Sequence, residues 1–210
     1  MDNLPIYEMV CTGQEVDKGL AAVALVDDPA IQQHFLMFKN AVPMAFAVTD
    51  AEQRIITGPV MIPDMPLMRN QPLKEGGEPV KFMTFASKET VANTCKMFSR
   101  NGKLSSVNIM HESDLVPENV FLFESWISDS AKGKPNPIGF EHLPDGTWFM
   151  SFICDNDAVW TAAKDGKLNG FSLQAVWGLK AMQFRNDEDA LIDELTEVFQ
   201  KIKDSGAIAI

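Results

Sequence analysis

Apolar residues in this chain come in short runs, and most runs are closed within a few positions by Gly, Pro, Asn or Asp. Runs of this length suit strands better than globular helices. One of them, Ile55-Ile56-Thr57-Gly58-Pro59-Val60-Met61-Ile62-Pro63, carries two prolines and a glycine. Proline brings no donor to a ladder, so that strand belongs at an edge or at a sharp bend. The most regular run follows the turn at Asn169-Gly170. Phe171, Leu173, Ala175 and Trp177 share one parity; Ser172, Gln174 and Val176 share the other. Strand side chains alternate between faces, so this is a half-buried strand with Ser172 opposite an apolar row. A short hydroxyl side chain beside a turn lets a substrate carbonyl come close. Locally, the simpler reading is a polar residue on a solvated face.

Similar runs occur at 7–11, 19–26, 35–38, 44–48, 80–85, 104–110, 120–127 and 147–153. The polar stretches 69–79 and 129–140 read as loops. Ser87 is placed to cap a helix with Val91, Cys95 and Phe98 on its stripe, ended by Asn101-Gly102. Asp155 or Asn156 caps a second helix with Val159, Trp160 and Ala163 inside. About eight or nine strands with two or three helices make a β-rich α+β chain. The breaks at Gly and Pro suggest a closed or strongly curved, mainly antiparallel barrel flanked by a few helices. Residues 1–182 are read as this domain. In 183–210 an acidic first turn, Asn186-Asp187-Glu188-Asp189, opens an amphipathic helix with Leu191, Leu195, Val198, Phe199 and Ile202 on one stripe. That stripe packs on its own domain or mediates self-association.

A length of 210 residues with 46% hydrophobic content is enough for one core. The net charge of −11 argues against nucleic acid as a partner. No apolar run has the length of a membrane span, and the N-terminus lacks the pattern of a signal peptide. The three cysteines, Cys11, Cys95 and Cys154, form no metal pattern, and a reducing cytoplasm suits them. No glycine-rich phosphate loop or paired His is present, so no cofactor or metal is expected; His111-Glu112-Ser113-Asp114 is at best part of a metal site.

If Ser172 is a nucleophile it needs a base, and histidine is the side chain best suited to the task near neutral pH. His111 closes the 104–110 strand, on the parity of Val107 and Ile109. His34 and His142 are the other histidines, the latter in a turn-rich segment. Candidates to orient the imidazole are Asp27 and Asp28, where the 19–26 run exits, and Glu124, set inside an apolar run. Before Pro29, the simpler role of the two aspartates is turn chemistry and a helix start. Glu124 must reach solvent or a partner, because burying a lone carboxylate is costly.

Taken in order, Val26-Asp27-Asp28-Pro29-Ala30-Ile31, Ile56-Thr57-Gly58-Pro59-Val60-Met61-Ile62-Pro63, Asn108-Ile109-Met110-His111-Glu112, Glu124-Ser125-Trp126-Ile127, Gly146-Thr147-Trp148 and Gly170-Phe171-Ser172-Leu173 resemble a family of tailed-phage serine proteases. These are similar to the prohead, or capsid-maturation, proteases and through them to herpesvirus assemblin. The resemblance spans roughly residues 19–178. It implies a seven-stranded barrel flanked by helices, Ser172 as nucleophile and His111 as base. It also implies phage scaffolding and major capsid proteins as substrates, self-cleavage in many members, and a location in the host cytoplasm inside the immature capsid. In relatives, the segment similar to 22–30 follows the serine and carries an acid. Here it precedes the histidine, which looks like a circular permutation, and Ala22 stands in the acid's place. Relatives also tend to carry an acid where Gln174 stands. The third member therefore stays open among Asp27, Asp28, Glu124 and a dyad helped by water. The rival from another class is a capsid-assembly or scaffold-binding protein that keeps the barrel without cleaving.

Overall fold

A computed structural model of the chain describes residues 4–11, 20–26, 46–73, 77–102, 107–109, 116–175 and 178–182. The chain divides into two compact units, Met1–Lys180 and Ala181–Ile210. Of the second unit only Ala181 and Met182 are described, so the amphipathic helix expected in 183–210 lies outside the described residues, as does the 35–38 run.

In chain order the strands are β1 (Ile6–Val10), β2 (Leu20–Val26), β3 (Ala47–Asp50), β4 (Ile55–Met61), β5 (Leu67–Gln71), β6 (Val80–Ala86), β7 (Val107–Ile109), β8 (Val120–Ile127), β9 (Trp148–Cys154), β10 (Gly170–Ala175) and β11 (Gly178–Ala181). Helix α1 (Lys88–Arg100) follows β6, and α2 (Asp157–Lys164) follows β9. The strands form three sheets, in the orders β11-β1-β6-β5, β10-β2-β7 and β3-β4-β9-β8. The pairs β2–β10, β3–β4, β4–β9, β5–β6 and β8–β9 are antiparallel. β1 on β6 and β2 on β7 are parallel. The chain is β-rich α+β with mixed sheets.

β4 shows how the sequence sets this geometry. β3 pairs only with Ile55–Thr57, so at Pro59 the ladder partner is β9, where a missing N–H on the other side costs nothing. A register shift between Pro59 and Met61 supplies the expected bend. Gly58 is required by close approach: a Cβ there would lie 2.8 Å from the Cβ and 2.9 Å from the Cα of Phe46. The expectation of a loop over 69–79 is corrected at its start. Leu67–Gln71 is a strand, held antiparallel to β6 in register from Leu67–Thr84 to Gln71–Val80. The polar residues Arg69, Asn70 and Gln71 concealed the two-residue alternation.

Both expected helix caps are present. Ser87 Oγ accepts from Thr90 N at 3.3 Å, and Asn156 Oδ1 accepts from Ala158 N and Val159 N. Gly102, just past α1, has φ +66°, the left-handed conformation glycine tolerates. Thr90 Oγ1 donates to Met9 O and Asn93 Nδ2 donates to Cys11 O, both at 2.9 Å, fastening α1 to the end of β1. The main core joins Ile56, Trp148, Met150 and Phe152 to Val91 and Phe98 of α1, Val159 and Trp160 of α2, and Phe171. Burying one such side chain fully is worth about 1.5–3 kcal/mol. A second, smaller cluster lies where the 129–146 segment brings Phe140 and Leu143 onto Ile62 and Phe149.

Candidate active site

β10 is held by its apolar parity. The Phe171 ring is 2% exposed and packs on Phe46 and Phe152, with ring centroids 5.4 Å and 5.1 Å away. Phe171 pairs with Leu25, Ser172 with Ala24 and Leu173 with Val23. Across β2, Leu25 pairs with Ile109, Ala24 with Asn108 and Val23 with Val107. Directly paired residues share a face. Ser172, Ala24 and Asn108 therefore form one row, on the face opposite Phe171, Leu25 and Ile109. Ser172 is half-buried, as the alternation implies. Asn108 is only 4% exposed, and among the described residues its Oδ1 has no hydrogen-bond partner, an arrangement that normally costs free energy.

Ser172 opens on a small pocket of about 50 Å³. Its described walls include Met9, Met61, Met65, Leu67, Phe171 and Leu173, and among the described residues Ser172 and Arg69 are its polar members. Arg69 pairs with Phe82, which is fully buried, so it stands on the inward parity of β5. Burial holds its guanidinium below the usual arginine range. Among the described residues no carboxylate forms an ion pair with it. Sequence reasoning missed Arg69 by assigning it to a loop. The available signal was the spacing of Leu67 and Arg69 two residues apart, just before a Gly-Gly turn and an alternating strand.

The other sequence-derived candidates fare differently. His111, Asp27 and Asp28 lie outside the described residues, as does His34. His142 is exposed in the turn-rich segment. Glu124 is exposed and accepts from Ser151 Oγ at 3.1 Å, while Ser151 Oγ and Thr57 Oγ1 share a hydrogen bond of 2.9 Å. A bulge between Leu122 and Glu124 reverses the parity of β8. It turns Glu124 to the face of Ser151 and leaves Ser125 to accept from Trp148 Nε1 on the core side at 2.9 Å. Ser151 alternates with Met150 and Phe152, and Phe152 packs on Phe171. Glu124 thus lies on the far face of its sheet from Phe171, and the structure does not bring it to Ser172.

Two of the cysteines hold their thiols in the neutral form. Burial, and then the charge of Asp155, push the Cys154 thiol up to about 12. Burial also raises the Cys95 thiol. We expect native protein at pH 8 to leave Cys154 unmodified by iodoacetamide, with modification appearing on unfolding in guanidinium. The neutral thiol is favoured by the fold. Its contribution to stability is therefore complete below the unfolded value of 9.0 and falls as pH rises toward about 12. Rapid alkylation of Cys154 in the native state would contradict this. Among the described residues no group of three or more His, Cys, Asp and Glu could hold a metal, and no helix is long and apolar enough to cross a membrane.

Residues 42–179 match a family model described as "Putative phage serine protease XkdF". No curated protein and no solved structure matches the chain.

Proposed function

Because the chain belongs to this family of phage serine proteases, we propose that it is the endopeptidase of capsid maturation, with Ser172 as nucleophile and His111 as general base. The observation that carries the proposal is the setting of Ser172: half-buried, lining a pocket, on a strand anchored by Phe171. Ser172 and His111 both fall within the matched residues, and Asp27 and Asp28 precede them.

In this reading Ser172 Oγ attacks the scissile carbonyl carbon and its proton passes to His111. The imidazolium then returns a proton to the leaving amine, and water releases the acyl group by the same route. The third member is taken from Asp27 and Asp28, which follow β2, the strand lying between β10 and β7.

We read the three sheets as walls of one strongly curved barrel, a permuted relative of the assemblin barrel. One backbone hydrogen bond joining the starts of β3 and β10, which belong to different sheets, supports this: Phe46 N donates to Asn169 O at 2.9 Å. The substrates proposed are phage scaffolding and major capsid proteins, and the chain itself, inside the immature capsid in the host cytoplasm.

The test is covalent labelling with an alkyl fluorophosphonate. Ser172 Oγ would bond to phosphorus, fluoride would leave, and the serine proton would go to the base. The expected result is one phosphonyl adduct on the peptide containing Ser172, lost in His111→Ala. No adduct, or an adduct only elsewhere, would refute the protease reading and favour a capsid-assembly protein that does not cleave.

A further inference from the structure

We propose that the pocket beside Ser172 selects a carboxylate-bearing side chain, Glu or Asp, next to the scissile bond, with Arg69 as its partner. The inference rests on the serine-protease reading.

The chain has 29 acidic residues against 18 basic ones, so partners for a cation are plentiful. Arg69 nevertheless points inward from β5, and among the described residues it has no carboxylate partner. A guanidinium removed from water without a counter-ion is unfavourable, and an incoming anion relieves that cost. The fork of a guanidinium matches a carboxylate through two parallel hydrogen bonds. The other described residues of the pocket are apolar and would cover the methylenes of such a side chain. Met9, Met61 and Met65 are also unbranched and can adjust to its length. The volume of about 50 Å³ leaves space for a few heavy atoms, at roughly 10–15 Å³ for a water-sized occupant, which excludes a large aromatic ring. Ser172 lines the same pocket, so the selected side chain is adjacent to the bond attacked.

The experiment uses two aminoalkyl diphenyl phosphonates that differ only in side chain, one with a glutamate-like carboxylate and one with its neutral amide. Each modifies an active serine with loss of phenoxide. The readout is the ratio of the two rate constants, which a general folding defect lowers equally above and below the line. The wild-type protein should react about tenfold or more faster with the carboxylate probe, the scale of a charge-assisted pair. Arg69→Gln should bring the ratio near one, and Arg69→Lys should restore part of it. Equal rates with the wild type would overturn the proposal. So would a ratio unchanged in Arg69→Gln with both rates reduced, which would make Arg69 a partner of the transition-state oxyanion instead. Failure of the fluorophosphonate, which carries no such side chain, would overturn the protease reading and this inference with it. Fluorophosphonate labelling without any carboxylate preference would overturn this inference alone.

Discussion

Replacing Ser172, the proposed nucleophile, by alanine is expected to lower cleavage of the proposed scaffolding-protein substrate by on the order of 10⁴-fold or more, because no other group takes over a missing nucleophile. The fold should survive. Ser172 is half-buried, and the anchoring of β10 comes from Phe171 on the opposite face and from its ladder with β2. Loss of one hydroxyl changes stability by roughly 1 kcal/mol. Gel analysis of substrate processing beside a denaturant titration of the same protein separates the two effects. Normal processing by Ser172→Ala would remove this residue from the mechanism, whatever the family.

The complementary change is Phe171→Ala, for which we expect a loss of about 3–5 kcal/mol, the range for truncating a buried aromatic side chain. The ring lies between Phe46 and Phe152, and the Cε2 of Phe171 would come within 3.3 Å of a Cβ at Gly58. Removing it leaves a cavity that the backbone at Gly58 and Phe46, already in close approach, cannot readily fill. In a domain of this size the melting temperature should fall on the order of 10 °C. Cleavage should fail at temperatures where the variant unfolds and recover below them. A melting temperature unchanged within error would mean that Phe171 does not anchor the strand.

The Ser172 strand was legible because its alternation is unbroken and its turn is marked by Asn169-Gly170. Both helix caps were legible for the same kind of reason, since Ser87 and Asn156 act within three residues of themselves. Glu124 was harder. Its need for a partner could be stated, but its face is set by a bulge of one extra residue, Phe123, which alternation cannot reveal. Arg69 was missed because a cation on the inward side of a strand violates the binary pattern that sequence reading depends on. Such violations tend to mark sites. The parallel pairings of β1 with β6 and β2 with β7 were also hidden, because nothing local in a strand names a partner so far away in sequence. Asn108 gave no signal either: its burial follows from the strands around it and not from its neighbours in sequence.

The pairing of β10 with β2 also sets an order of events during synthesis. Leu25 is translated early, and its partner Phe171 only after most of the chain has been made. Long-range pairing of this kind is slow to form, because the intervening chain must first be closed into a loop. The strand that carries Ser172 has no ladder until then. If Ser172 is the nucleophile proposed above, a nascent chain emerges from the ribosome with that centre unassembled, and proteins made beside it are safe from it until translation has passed the last paired residue.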